Sequence, residues 1–335
     1  MKRYVINGVF SIDGLVQEEA DIPRPGCRQV LVRVRAASLN YRDVLMVTGA
    51  YSRNIPQPLI PFSDGAGEIV GVGEGVTRWK RGDRVIPTFF QNWLAGGITR
   101  EAPASALGGA RDGVLAEYAL FEEEGLVELP THLSFEEGAT LPCAALTAWN
   151  CLYSGNLTCG NTVLVMGSGG VSCFALQFAR SAGARVIATS GSDAKAERLK
   201  ALGASDVINY HDPDWEKQVT ALTAGEGVDI VVEVGGAGTL ARSIRATRIG
   251  GHISLIGVLA GQQGEVNPLP AVMKGILIAG IYVGSREMFQ AMNRSIVLHR
   301  LHPVIDRVFP FDEARDALRH LQSGSHMGKV VISIP

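Results

Sequence analysis

The residues best suited to chemistry lie in a glycine turn. Gly167, Ser168, Gly169, Gly170 and Val171 follow the apolar run 162–166 (TVLVM) and precede 172–182, whose apolar residues recur at helical spacing. Such a turn puts backbone N–H groups at a helix N-terminus, where hydrogen bonding and the helix dipole favour a pyrophosphate. Glycine permits the tight turn and lets phosphate approach the backbone. Ser172 stands where a strict GxGxxG pattern has its third glycine. A second turn, Gly235, Gly236, Ala237 and Gly238, follows the apolar run 228–234 (VDIVVEV). Glycine turns after the first and fourth strands of a doubly wound sheet flank the point where dinucleotides lie. The pair predicts dinucleotide binding, with Gly235 among the contacts.

The run 185–189 leads into Thr189, Ser190, Gly191 and Ser192, with Asp193 and Lys195 beyond. NAD-binding folds usually place an acid at the end of this strand, for the ribose 2′-hydroxyl. Hydroxyls and a lysine suit a 2′-phosphate instead, which an anion would repel. The expectation is NADPH rather than NADH. The plainer alternatives are that Ser192 caps a helix and Lys195 is a solvated charge.

These residues need a scaffold. From about residue 160, strands at 162–166, 185–189, 206–210, 228–234 and 252–258 alternate with helices at 172–182, 193–202, 214–223 and 239–247. That alternation predicts an α/β unit with a parallel sheet covered on both faces. The first ~120 residues read instead as short strands with frequent turns, a compact β domain. Residues 91–113 read as a long surface loop. The last ~70 residues return to mixed elements: strands at 276–283, 304–308 and 329–334, and helices at 286–300 and 312–322.

Composition narrows the classes. Glycine supplies 40 of 335 residues without a Gly-X-Y period, against an ordinary ~7%. A formal net charge of -2 offers no basic field for nucleic acid. Five cysteines without a CxxC pair argue against a zinc ribbon or a disulfide framework. The longest near-continuous apolar run, 275–284, is too short to span a membrane. A cytoplasmic protein without membrane or nucleic-acid partners is expected.

The motifs AASLNYRDVL at 36–45, PFSDGAGEIVGVGEGVTRWKRGDRV at 61–85, TLPCAALTAW at 140–149, GSGGV at 167–171 and GSHMGKVVI at 324–332 extend over nearly the whole chain. Together they resemble the medium-chain dehydrogenase/reductases, specifically the zinc-free, quinone oxidoreductase-like branch. The resemblance implies a GroES-like β-barrel catalytic domain, 1–122 and 265–335, and a Rossmann domain, 123–264. It also implies a homodimer formed through the strand at 275–284. In the zinc branch a Cys, a His, a second Cys and often an acid hold the catalytic metal. Those positions are Asn40, Ser63, Cys143 and Asp64 here, and no zinc is expected.

By the same resemblance Asn40 is the candidate donor to a substrate carbonyl. Tyr51 and Tyr41 are further candidates, and Leu45 replaces a tyrosine often found there. Asp43 is read as structural or orienting. Thr147 is expected at the nicotinamide, and Tyr210 at the 2′-phosphate with Ser192 and Lys195. Ile256, Gly257, Val258, Ile281, Tyr282, Val283 and Lys329 are expected to border the cofactor, although Lys329 also reads as a solvated strand-edge charge. The predicted function is NADPH-dependent, zinc-independent hydride transfer to a small electrophile: a quinone, enone or related carbonyl. The alternatives are an alcohol dehydrogenase-like enzyme acting on alcohols or aldehydes, and an NADPH-binding scaffold without turnover.

Overall fold

The computed structural model describes all residues except Val258 and Gln262. The chain forms two compact units, Met1–Leu146 with Val283–Pro335, and Thr147–Tyr282.

The first unit is built on a seven-stranded sheet. Its path runs Ile305–Pro310, Lys329–Ser333, Gln29–Ser38, Asp64–Val72, Arg84–Pro87 and Leu126–Glu128, and Tyr118–Glu122 also pairs with Gln29–Ser38. The central strand QVLVRVRAAS alternates apolar and polar residues, as a sheet with one covered face requires. Val30, Val32 and Val34 join Ile69, Val85, Phe121, Val330 and Ile332 in the core. In the strand register, Ser38 sits opposite Asp64 on one side and Val331 on the other. The chain segments around Asn40, Ser63 and Lys329 are thereby brought to one end of the sheet.

Asn40 ends the extended run and starts the helix Tyr41–Val47. Periodicity does not reveal this two-turn helix, but its capping box is in the sequence, Asn40 with Asp43 three residues on. The segment 91–113 departs from the surface loop expected. It carries a 3₁₀ turn, Ala102–Ser105, and residues 105–109 are buried. Gly113 and Val114 donate to the carbonyls of Ile60 and Phe62, which ties the loop's end to the segment leading into Asp64–Val72. Residues 94–101 are exposed, as a surface loop would be, whereas Ala102 and 105–109 are buried.

The second unit is a parallel six-stranded sheet. Numbered within the sheet, its strands Thr162–Val165, Arg185–Ser190, Asp206–Asn209, Val228–Glu233, Thr247–Leu255 and Leu277–Gly280 lie in the order 3-2-1-4-5-6. The helix Gly170–Ser181 buries Cys173, Phe174, Leu176 and Phe178, and Phe174 stacks on Phe178 with ring centroids 5.9 Å apart. The unit boundaries lie later than the 122/123 and 264/265 expected. Leu277–Gly280 pairs in parallel with Thr247–Leu255, with Leu277 opposite His252, which carries residues 265–282 into this unit. The strand is shorter than the 276–283 predicted and forms the sheet's edge. Among the described residues no helix is long and apolar enough to cross a membrane.

Candidate active site

The pairing of Ser38 with Asp64 and Val331 assembles a polar cluster within the first unit. Lys329 begins its strand and is only 3% exposed. Its ammonium donates to Leu39 O and to Asn40 Oδ1, both at 2.6 Å. Asn40 Nδ2 lies 3.5 Å from Ser63 Oγ, and Ser63 Oγ donates to Asp64 Oδ1 at 2.7 Å. The other oxygen of Asp64 accepts the backbone N–H of Cys143 at 3.0 Å and lies 3.9 Å from Lys329 Nζ. Cys143 belongs to a π-helical turn, Leu141–Ala145. Irregular turns of this kind frequently mark functional sites.

Electrostatics follow from burial. Asp43 and Asp64 are both fully buried. Desolvation pushes the Asp43 carboxyl up to about 7, against the pull of Arg42 beside it. Asp64 is also raised by burial, countered chiefly by Lys329 and by the hydrogen bond from Ser63. Burial and the Asp64 carboxylate push the Cys143 thiol well above its ordinary value. Asp43 Oδ2 accepts the Asn40 backbone N–H at 2.7 Å, which is an orienting position. Tyr41 and Tyr51 are 45% and 49% exposed. Arg42 lies over the Tyr51 ring, 5.6 Å from its centroid.

The four positions do not suit zinc. Asn40 and Ser63 stand at the Cys and His positions, Asn40 Oδ1 already faces an ammonium, and both Asp64 oxygens accept hydrogen bonds. A catalytic zinc needs three protein ligands, deprotonated where they ionise. Lys329 is thus a buried member of this cluster, which corrects its reading as a solvated edge charge.

In the second unit the turn at 167–171 fits a pyrophosphate. Gly167 has φ +75 and donates its N–H to Thr189 Oγ1 at 3.0 Å. Gly169 caps the helix Gly170–Ser181 with φ -74, and a Cβ there would meet nothing within 4 Å. The chain's own packing therefore gives no reason for glycine at 169, while an approaching ligand does. Helix geometry leaves the N–H groups of this first turn, Gly170 and Val171 included, without intrahelical acceptors. The Ser168 carbonyl faces the Cys173 thiol at 3.4 Å.

At the adenosine-side positions, Ser190 Oγ bonds Ser192 O at 3.0 Å. Ser192 is the N-cap of the helix Asp193–Ala201, but its side chain makes no capping bond. The plain capping role is thereby removed. Lys195 is half-buried and Tyr210 is 43% exposed. A Cβ on Gly191 would strike the Tyr210 ring and His211. That contact was not read from the sequence, although a glycine facing an aromatic just past the next strand is its signal.

The second turn does something else. Glu233 is fully buried at the end of its strand. Its Oε1 accepts Gly235 N–H at 2.7 Å, Gly236 N–H at 3.2 Å and Thr239 Oγ1 at 2.7 Å, while Oε2 accepts the Ser243 hydroxyl. A Cβ at Gly235 would collide with Thr239. Gly235 is therefore fixed by internal packing, and the N–H assigned to a pyrophosphate faces a carboxylate of the chain itself. The signal for Glu233 was an acid following the apolar run Ile230–Val232.

Of the remaining cofactor candidates, Thr147 is 3% exposed on the helix Leu146–Ser154. Ile256 donates its N–H to Glu233 O at 2.9 Å, and a Cβ on Gly257 would strike Val234 O. Ile281 is buried and Tyr282 is 39% exposed. Val283 has φ +56, an outlier for a β-branched residue. Val258 lies outside the described residues.

Comparison with known proteins agrees with this architecture. The model of the alcohol dehydrogenase GroES-like domain matches residues 26–131, and that of zinc-binding dehydrogenases matches 170–297. A zinc-type alcohol dehydrogenase-like protein of Schizosaccharomyces pombe is 46% identical, covering 99% of each chain. The chain belongs to the medium-chain dehydrogenase/reductase superfamily. A quinone oxidoreductase of Rattus norvegicus is 29% identical, covering 95% of this chain and 92% of its own. A crystal structure from Sinorhizobium meliloti 1021, described as an alcohol dehydrogenase, superposes with a TM-score of 0.93 at 40% identity, covering 99% of this chain and 98% of its own. As a member of this superfamily the chain is an NAD(P)-dependent oxidoreductase.

Proposed function

We propose that the chain is a zinc-independent, NADPH-dependent reductase of quinones, enones or related carbonyl compounds. One observation carries this reading. Where the zinc branch holds its metal, this chain places the Lys329 ammonium 2.6 Å from Asn40 Oδ1. NADPH, when bound, supplies the hydride. Gly167, Ser168, Gly169, Gly170 and Val171 hold the pyrophosphate, Thr147 the nicotinamide end, and Ser190, Ser192, Lys195 and Tyr210 the 2′-phosphate. Asn40 Nδ2 donates to the acceptor oxygen as negative charge collects there, the task a metal performs elsewhere. An electron-poor acceptor needs no stronger electrophile than this.

The exposed edge strand Leu277–Gly280, with Leu277 at 60% and Ile278 at 37% exposure, supports a homodimer through 275–284. The deciding experiment is an acceptor screen with NADPH and NADH on purified protein, paired with metal analysis. Turnover of quinones or enones with NADPH, without stoichiometric zinc, is the expected result. Turnover confined to alcohols and aldehydes, with about one zinc per chain, would establish the second reading. The name of the Schizosaccharomyces pombe relative favours that one.

A further inference from the structure

The cluster around Asn40 has a direction. At one end stands an ammonium, which can only donate; at the other stands a carboxylate, which can only accept while ionised. Ser63 gives its proton to Asp64 Oδ1 across 2.7 Å. The oxygen of Ser63 therefore faces Asn40 as an acceptor. The amide must present Nδ2 on that side, 3.5 Å away. Its Oδ1 must then face a donor, and Lys329 Nζ stands there at 2.6 Å. The opposite flip would set NH₂ against an ammonium and a carbonyl oxygen against the lone pairs of Ser63. Lys329 is itself held from behind by Leu39 O at 2.6 Å. Asn40 meanwhile has its backbone pinned by Asp43, so the side-chain torsion is the freedom that remains.

We propose that Lys329 is a positioning residue, whose bond to Oδ1 locks the Asn40 amide in the one flip that presents Nδ2 as a donor. Nδ2 carries two N–H groups. One serves the Ser63 and Asp64 side, and the second is offered to the oxygen of the acceptor. Lys329 thus acts through Asn40 rather than on substrate. What Asn40 does for the reaction rests on the proposed reductase function; how its amide is held does not.

Two measurements test this separately. In ¹⁵N-labelled protein the Asn40 side-chain resonance is identified by its loss in Asn40→Ala. Lys329→Met should displace that resonance and speed its exchange with water, and Lys329→Arg, which keeps a donor, should restore it in part. An unmoved resonance in Lys329→Met overturns the proposal. In steady-state kinetics with 9,10-phenanthrenequinone, Lys329→Met should lower kcat about tenfold to a hundredfold while NADPH affinity changes less than about twofold. In the Asn40→Ala background the same substitution should cost nothing further. Additive losses, or NADPH affinity falling in step with kcat, overturn the proposal, because Lys329 then acts on something other than Asn40. Should Lys329→Met fold poorly, Asn40→Asp still asks whether Nδ2 is the donor that Lys329 positions. It keeps the partner for Lys329 but, ionised, has no N–H to offer. Its kcat should fall as in Asn40→Ala with an unchanged melting temperature, and undiminished kcat overturns the proposal. If wild type holds stoichiometric zinc or reduces no acceptor, the functional reading fails and the resonance alone decides on Lys329.

Discussion

The two glycine turns of the nucleotide-binding unit follow neighbouring strands of one sheet, yet they treat their backbone N–H groups differently. At 235–236 the groups converge on Glu233, and a side chain at Gly235 would meet Thr239. At 167–171 no such carboxylate intrudes, and a side chain at Gly169 would meet open space. One turn is closed on an internal anion; in the other Gly167 N–H goes to Thr189 Oγ1, and the N–H groups of the helix's first turn have no intrahelical acceptor. Glycine in a βα turn therefore has two separable causes. What distinguishes them is whether the space beside the missing Cβ is filled.

The contrast can be broken most forcefully at Glu233. Glu233→Leu leaves two backbone N–H groups and two hydroxyls without their acceptor, and should cost about 3 kcal/mol or more. In a unit of this size that is roughly 6–12 °C in Tm, readable by calorimetry. A stable variant would mean that the second turn does not depend on its internal anion. Next comes Gly169→Val, expected to weaken NADPH about a hundredfold, or ~2.7 kcal/mol, by fluorescence titration, with Tm unchanged. The reverse pattern, intact affinity and a lowered Tm, would make both turns structural. Gly235→Ala should give that reverse pattern.

A smaller effect sharpens the nucleotide choice. Lys195→Ala should cost about tenfold in NADPH affinity and leave NADH affinity nearly unchanged; equal losses would remove the 2′-phosphate contact. The pH-dependent effect concerns another buried carboxylate. Asp43 resembles Glu233 in burial, but its Oδ1 has no hydrogen-bond partner. Its carboxyl is raised from 3.8 to about 7 in the folded state. The folded form therefore binds the proton more tightly than the unfolded chain does. Stability should fall as pH rises from about 4 to about 7, then level off. Asp43→Asn should flatten that slope in a Tm-against-pH series, and an unchanged slope would assign it to other groups.

Legibility in the sequence followed range. The strands and helices expected in the second unit lie within a residue or two of their apolar runs, apart from the irregular fifth strand and the short edge strand, because burial on both faces leaves a continuous local signal; the helices Leu146–Ser154 and Leu269–Lys274 were not read. The turn at 167–171 was readable for the same reason, since five adjacent residues carry it. Helix Tyr41–Val47 and the π turn Leu141–Ala145 are too short for periodicity to show. The burial of Lys329 depends on the segments at Asn40 and Asp64, far away in the chain, so nothing adjacent announces it. Resemblance to a family brought Asn40, Ser63, Asp64 and Cys143 into view as a set; only the fold placed the ammonium among them. Glu233 was visible as an acid in an apolar strand, but its role needed the four donors around it.

The bond between Lys329 and Asn40 joins residues 289 positions apart. Between them the chain must make the whole of Thr147–Tyr282. During synthesis Asn40 therefore emerges early and waits, its Oδ1 without the Lys329 ammonium, until residues 147–282 have been made. Domains tend to fold as units in order of appearance, so the first unit is finished last although it begins first. A chain cut short inside the second unit would thus leave the Asn40 amide without Lys329.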